Sequence, residues 1–193
     1  MRKIKIQTVF LICGIFLFSC SQKKEQERPN TFAPKVIETK GYVVPSLKQS
    51  SKDESTRDGM DIAICSVDTK NRIVKYAGAN RPVWIIRNGQ IEVEEIKATK
   101  TAIGGLTQDD HYFESHEIKL QQGDTFYICT DGYADQFSGK DGKKLMTRKL
   151  KEILVGIQNK SMQEQEQYLD NFVEDWKAGT EQVDDILVIG IRV

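Results

Sequence analysis

The chain lacks a net charge, a metal-binding cysteine motif and an internal repeat. Its 193 residues contain 28 Lys and Arg and 28 Asp and Glu, with no basic stripe. This argues against a nucleic-acid partner, because such a partner calls for a basic surplus. The 4 cysteines form no Cys-x-x-Cys motif, and the 2 histidines have no partner at ligand spacing, which argues against zinc. The length predicts one domain with a single core.

The first twenty residues have the pattern of an export signal. Basic side chains precede an apolar run over residues 9–18, which is shorter than the roughly twenty residues of a membrane-spanning helix. The segment closes on Leu17-Phe18-Ser19-Cys20, which resembles the lipobox of bacterial lipoproteins. The resemblance implies lipidation of Cys20 and a mature protein on a membrane, facing the periplasm or the exterior. The alternatives are a short membrane anchor or a buried helix, and a cytoplasmic protein if the signal is not used.

The rest of the chain divides into a tether and a domain. Residues 21–35 are almost all polar and predict a disordered tether, because little apolar area offsets the entropy of ordering them. Residues 36–193 are expected to form the folded domain.

Alternating apolar segments separated by turn signals predict a mainly antiparallel sheet. Asn88-Gly89 is the clearest hairpin turn. The predicted strands are 60–67, 73–77, 83–87, 91–96, 116–120 and 126–130. Residues 185–193 form a near-continuous apolar strand, which predicts a place in the middle of a sheet that is buried on at least one face.

Helical spacing replaces strand spacing after residue 131. Apolar residues at helical intervals predict one helix over 145–157, and Ser161 with Glu164 forms a capping box before a second amphipathic helix. A sheet followed by two helices and a final strand predicts a layered α+β domain.

Carboxylates stand at the ends of two predicted strands. Asp131-Gly132 follows the apolar strand 126–130, and Asp184-Asp185 precedes the last strand. Two carboxylates held by rigid strands can meet at a cation that prefers oxygen, such as Mg²⁺ or Mn²⁺. The structural alternative is a hairpin turn at Asp131-Gly132 and a solvated entry to the sheet at Asp184-Asp185.

An ordered series of motifs resembles the C-terminal part of the SpoIIE-type branch of the metal-dependent (PPM) serine/threonine protein phosphatases. The series is Asp58-Gly59-Met60-Asp61, 76–82, Ile103-Gly104-Gly105, Gly123-Asp124, 130–137 and 183–190. The resemblance covers about residues 36–193 and implies a layered β-sandwich with flanking helices. A glycine-aspartate motif and an Asp-x-x-Gly-His-Gly motif, which precede this part in the family, are not found. The N-terminal part of the fold is therefore expected to be missing.

The resemblance also implies a reaction and a metal site. Asp131 and Asp184 match metal-binding positions, and Asp185 and Gly132 are candidates for the metal site or its immediate surroundings. In the family, two metal ions, Mn²⁺ or Mg²⁺, activate a water that attacks a phosphoserine or phosphothreonine of a protein substrate. The missing motifs carry the bridging carboxylates, so weak activity or none is expected. The alternatives are a non-catalytic binding module and a deletion remnant of a larger membrane sensor phosphatase.

Other polar residues of the series have structural explanations. Asp58 and Asp61 fit a turn that leads into a strand, and Asp135 fits a cap of the turn after Asp131. Asn80 and Arg81 fall in a bend made rigid by Pro82, although Arg81 in such a bend is able to meet a phosphate.

The remaining candidates are expected to have no chemical role. Cys65 and Cys129 lie in apolar strand patterns and are expected to pack as small hydrophobic side chains, with a disulfide between them left open. His111 and His116 are expected at the surface. Gly104-Gly105 predicts a flexible bend rather than a phosphate-binding loop, because no helix follows at once.

Overall fold

Two four-stranded antiparallel sheets lie at the centre of the computed structural model, which describes residues 15–16, 59–105 and 111–193. The predicted signal with Cys20, the tether and Asp58 lie outside the described residues, apart from residues 15–16. The strands are β1 (Ile15–Phe16), β2 (Gly59–Met60), β3 (Ile62–Asp68), β4 (Ile73–Ala79), β5 (Val83–Ile86), β6 (Glu94–Ile96), β7 (Ile103–Gly104), β8 (Ser115–Lys119), β9 (Thr125–Cys129) and β10 (Val188–Arg192). The helices are α1 (Gly132–Asp135), α2 (Thr147–Gly156) and α3 (Met162–Lys177).

The first sheet has the order β1-β3-β4-β8 and the second the order β10-β9-β5-β6. A short pair, β2 with β7, lies apart from them. Apolar side chains of both large sheets meet in one core, among them Cys65 and Tyr76 from the first sheet and Ile85, Phe126 and Ile189 from the second. The two sheets therefore form a sandwich.

The outer face of the second sheet packs against the helices. Trp84, Tyr127 and Val188 form a second core with apolar residues of α2 and α3 such as Leu154 and Leu169. The layers are thus sheet, sheet and helices, which confirms the predicted α+β sandwich. Within the described residues, no helix is long and apolar enough to cross a bilayer.

Local signals located several elements correctly. The Asn88-Gly89 turn joins β5 to β6, with Gly89 at a φ of 75° and the Gln90 amide donating to the Arg87 carbonyl at 2.9 Å. Ser161 caps α3 in a complete capping box with Glu164. Strand β6 is an exception, because the sequence predicted a start at residue 91 and the strand begins at Glu94.

The last strand differs from its predicted position. Among the described strands, β10 has β9 as its neighbour and stands at the end of the second sheet, not in its middle. Its apolar character has another cause, because Val188 faces the helices and Ile189 faces the first sheet. Both faces of β10 are covered, so alternate residues need not be polar.

The two described cysteines are free thiols. Cys65 lies between the sheets, where burial raises the pKa of its thiol to about 12. Cys129 packs against the core on the helix side. The second sheet therefore separates the two side chains, which explains why they pack as apolar residues and form no disulfide.

The other minor candidates also have defined places. His111 is exposed, as predicted, but His116 stacks on Tyr76 with 5.9 Å between ring centroids. Gly104 and Gly105 have φ values of 77° and 64°, as a bend requires. Gly104 also pairs with Gly59 across β2 and β7, so the bend is tied to a strand pair.

Candidate functional site

Three neighbouring strands of the second sheet end or begin at the same edge. Antiparallel pairing puts Cys129 of β9 opposite Val188 of β10, and Ile128 of β9 opposite Val83 of β5. The segment that follows β9 and the segments that precede β10 and β5 are therefore close in space. They contain Asp131, Asp184-Asp185 and Arg81, respectively.

Thr130 fixes the backbone on which Asp131 stands. Its amide donates to the Leu187 carbonyl at 2.9 Å, and its hydroxyl donates to the Asp185 carbonyl at 2.8 Å. The Leu187 amide donates back to the Thr130 hydroxyl at 2.9 Å. The chain then turns into α1 with Asp131 at the N-cap position. Asp131-Gly132 is thus a strand-to-helix connection and not a hairpin turn.

Gly132 allows the segment before β10 to approach α1. A Cβ atom on Gly132 would lie 2.5 Å from the Asp185 carbonyl oxygen and 3.2 Å from the Asp184 carbonyl carbon. The half-buried Asp184 accepts a hydrogen bond at Oδ1 from the Asp185 amide at 2.7 Å, whereas Asp185 itself is exposed. Asp131 and Asp184, the two predicted metal ligands, therefore lie on adjoining backbone segments.

Arg81 and Asp61 join this group, although sequence reasoning gave both a structural role. Arg81 Nη2 lies 2.8 Å from Asp131 Oδ2 and 3.2 Å from Asp61 Oδ2. Asn80 Nδ2 donates to Asp61 Oδ1 at 2.8 Å. Asp61 comes from the first sheet, immediately before β3, so the site joins the ends of both sheets. The sequence did contain a signal for this contact. The tripeptide Asn80-Arg81-Pro82 is conformationally restricted, and the acidic residue Asp61 stands before the hairpin formed by β3 and β4.

The backbone around Arg81 is held on several sides. Asn80 has a φ of 57°, a left-handed conformation that Asn adopts more readily than most residues. The hydroxyl of Tyr76, a fully buried residue, donates to the Arg81 carbonyl at 2.6 Å. A Cβ atom on Gly78 would lie 2.1 Å from that hydroxyl oxygen and 2.6 Å from the Arg81 carbonyl oxygen. Gly78 is therefore needed for this contact, and Pro82 restricts the next φ angle.

Asp135 lies at the end of α1 and has a different partner. Its carboxylate forms an ion pair with Lys144, with Nζ 3.2 Å from Oδ2. Both side chains are partly exposed. This surface contact secures the loop after α1. The role is structural, but Asp135 pairs with Lys144 where a cap of the turn after Asp131 was predicted.

The described residues offer the right kind of metal ligand but not a complete set. Asp131 Oδ1 is buried, and no described group hydrogen-bonds to it. Such an oxygen suits a hard cation. Within residues 59–105 and 111–193, however, no group of three or more His, Cys, Asp or Glu side chains could hold a metal ion. Asp131 Oδ2 faces the guanidinium of Arg81. The described part of the chain therefore does not form a full metal site.

Solved structures with a similar fold include phosphatase domains. The SiaA-PP2C domain of Pseudomonas aeruginosa is 29% identical to the chain, with a TM-score of 0.62, 70% of this chain covered and 52% of that domain. The PP2C phosphatase domain of SpoIIE from Bacillus subtilis, with a fragment of its regulatory domain, is 21% identical, with a TM-score of 0.56 and coverages of 76% and 41%. The RsbU and RsbW domains of a Mycobacterium tuberculosis protein are 15% identical, with a TM-score of 0.53 and coverages of 69% and 36%.

The chain spans about half or less of the length of each of these structures. No curated protein matches it. The model of the Stage II sporulation protein E (SpoIIE) family matches residues 41–193, which include every described residue of the site. The chain therefore belongs to the SpoIIE family and has the fold of the PP2C, or PPM, phosphatases.

Proposed function

We propose that the chain is a SpoIIE-type protein serine/threonine phosphatase domain with an incomplete metal site and weak or no activity. The observation that carries this proposal is the position of Asp131 and Asp184 on adjoining strand ends, with a buried oxygen of Asp131 left without a partner. The substrate class is a protein that carries phosphoserine or phosphothreonine, as the family implies. The reaction is hydrolysis of the phosphoester.

The expected cofactor is Mn²⁺ or Mg²⁺, bound weakly. Both ions prefer oxygen ligands, and Mg²⁺ demands near-octahedral geometry. Asp131 and Asp184 would contribute carboxylate oxygens, with Asp185 as a less important neighbour. Two carboxylates leave most of an octahedral shell to water, so tight binding at two sites is not expected.

The proposed location of the protein depends on its first residues. Residues 1–20 would serve as a lipoprotein-type signal, and its removal would take β1 (Ile15–Phe16) away from its partner β3 in the first sheet. Residues 21–35 would serve as a polar tether, and residues 36–193 as the partial phosphatase domain. Lipidated Cys20 would attach the domain to a membrane on its periplasmic or outer side. If the signal is not used, the same domain would act in the cytoplasm.

A non-catalytic binding module is the second candidate, whether or not it arose by internal deletion from a membrane sensor phosphatase. The ion pair between Arg81 and Asp131 favours it, because a positive side chain already neutralises the main predicted metal ligand. Such a module would keep the sandwich and the helices but would be indifferent to metal ions.

Phosphatase activity of the full chain towards a phosphoserine peptide separates the two candidates. With Mn²⁺ or Mg²⁺ present, we expect low turnover that is lost in both Asp131→Asn and Asp184→Asn, because each change removes a ligand charge while it nearly preserves shape. Asp185→Asn should reduce turnover less. Asp175→Asn, an exposed change on α3, is the control for loss of one negative charge.

The outcomes have distinct meanings. Turnover that survives Asp131→Asn would contradict the site assignment. Wild-type protein that is folded, has no turnover with either metal and binds neither metal would favour the binding module. Robust turnover that requires Asp131 would mean that further ligands, from this chain or a second copy, complete the site.

A further inference from the structure

We propose that the guanidinium of Arg81 is the positive charge that neutralises the Asp61 and Asp131 carboxylates, and that a divalent metal must displace it from Asp131 in order to bind. The inference rests on the proposed function, because it concerns the same carboxylate. It adds a residue that competes with the metal and so sets the metal affinity of the site.

Charge balance is the first argument. One guanidinium nitrogen, Arg81 Nη2, lies within 3.2 Å of a carboxylate oxygen from each sheet. The Arg81 side chain is 14% exposed, against 28% for Asp61 and 40% for Asp131. A nearly buried positive charge between two carboxylates lowers their mutual repulsion. A divalent ion at Asp131 would meet that positive charge at close range, so the two cations oppose each other.

The limited hydrogen bonding of the pair is the second argument. Arg81 presents one nitrogen to one oxygen of Asp131, whereas Arg and carboxylate form their strongest contact through two parallel hydrogen bonds. Arg81 Nε and Asp131 Oδ1 are both buried without a hydrogen-bond partner among the described residues. The contact therefore leaves a donor and an acceptor open, which makes it easier to displace than a bidentate pair.

The fixed conformation of the main chain around Arg81 is the third argument. Tyr76, Gly78, Asn80 and Pro82 together fix the position of the Arg81 main chain. Because the main chain is fixed, the guanidinium can leave Asp131 by rotation of the Arg81 side chain while the strand ends stay in place. The carboxylates would then keep the positions that a metal requires.

Isothermal titration of the full chain with Mn²⁺ tests the competition. We expect Arg81→Gln to bind Mn²⁺ about tenfold more tightly than wild type, which is ~1.4 kcal/mol and within the reach of one partly exposed charge-assisted hydrogen bond. Arg81→Lys, which keeps a movable positive charge, should lie between the two. Arg148→Gln removes the same charge from a side chain that is 92% exposed on α2, and should leave the affinity within twofold.

A measurement on wild-type protein keeps the test decisive if Arg81→Gln folds poorly, and a double variant adds a check if it folds well. In wild-type protein, Mg²⁺ should shift the side-chain NMR signal of Arg81, and metal binding without such a shift would overturn the proposal. The double variant Arg81→Gln, Asp131→Asn should lose the gain in affinity.

Failure of this inference is distinguishable from failure of the proposed function. Equal or weaker Mn²⁺ binding in Arg81→Gln, with wild-type binding that depends on Asp131, overturns the competition alone. Absence of Mn²⁺ binding in every variant overturns both the competition and the metal dependence.

Discussion

Replacement of Gly132 by alanine tests the close approach that brings Asp131 and Asp184 together. Gly132 is the first residue of α1, where alanine alone would gain up to ~1 kcal/mol of helix propensity. Against this, the new methyl group would lie 2.5 Å from the Asp185 carbonyl oxygen, a backbone atom that cannot rotate away. Overpacking of this kind costs about 1–3 kcal/mol. Because the clashing atom belongs to the backbone, we expect a cost near the upper end of this range and a net loss of about 2 kcal/mol in the free energy of unfolding.

Urea denaturation followed by tryptophan fluorescence measures this loss. Gly156→Ala is the matched control, because Gly156 ends α2 and its added Cβ would meet nothing within 4 Å. That control should be stabilised by up to ~1 kcal/mol. The two substitutions are chemically identical and should have opposite signs. Gly132→Ala protein as stable as wild type would show that the segment before β10 yields easily, and the argument for a fixed Asp131–Asp184 arrangement would fail.

Two other predictions concern a turn and the N-terminus. Burial raises the pKa of the Asp124 carboxyl, but hydrogen bonds from the Gln121 and Asn88 amides and the Arg87 guanidinium outweigh this, so its pKa falls below the usual 3.8. Asp124→Asn should therefore cost about 1–3 kcal/mol at pH 7, with the deficit shrinking below about pH 4 as wild-type Asp124 becomes protonated. Separately, fatty-acid labelling of cells that express the chain should mark wild type and not Cys20→Ala.

The sign of the Asp124 effect follows from linkage. A depressed pKa in the folded state contributes stability above the ordinary value and loses it as the pH falls through the folded value. Urea midpoints of both proteins from pH 7 to pH 3 measure the difference. A deficit that grows towards acid pH would contradict the assignment. Equal labelling of wild type and Cys20→Ala would contradict the lipoprotein signal.

Local chemistry explains what the sequence could predict. The Asn88-Gly89 turn and the Ser161 capping box depend on a few adjacent residues, and both formed as predicted. Strand β9 was located because its run of apolar residues is buried on both faces. Asp131 was singled out because it follows that run, and it does lie at the edge of the sheet.

Long-range pairing explains what the sequence could not predict. Arg81 meets Asp131 across fifty positions of sequence, and this contact depends on the left-handed Asn80 and on the crossing from β4 to β5. Neither feature has a periodic signal. The place of β10 at the end of its sheet was missed for a similar reason, since an apolar strand covered by two layers has the same composition as a central one.

The arrangement of the strands links the site to the core of the domain. Asp131, Arg81 and Asp184 stand at the same edge of β9, β5 and β10, and these strands are the ones that contribute to both apolar cores. Their positions at this edge are thus set by the packing of both layers and do not require a bound metal. A folded but metal-free domain is expected to keep these three residues together. The Arg81–Asp131 contact is then a property of the fold itself, and any metal that binds there must compete with it.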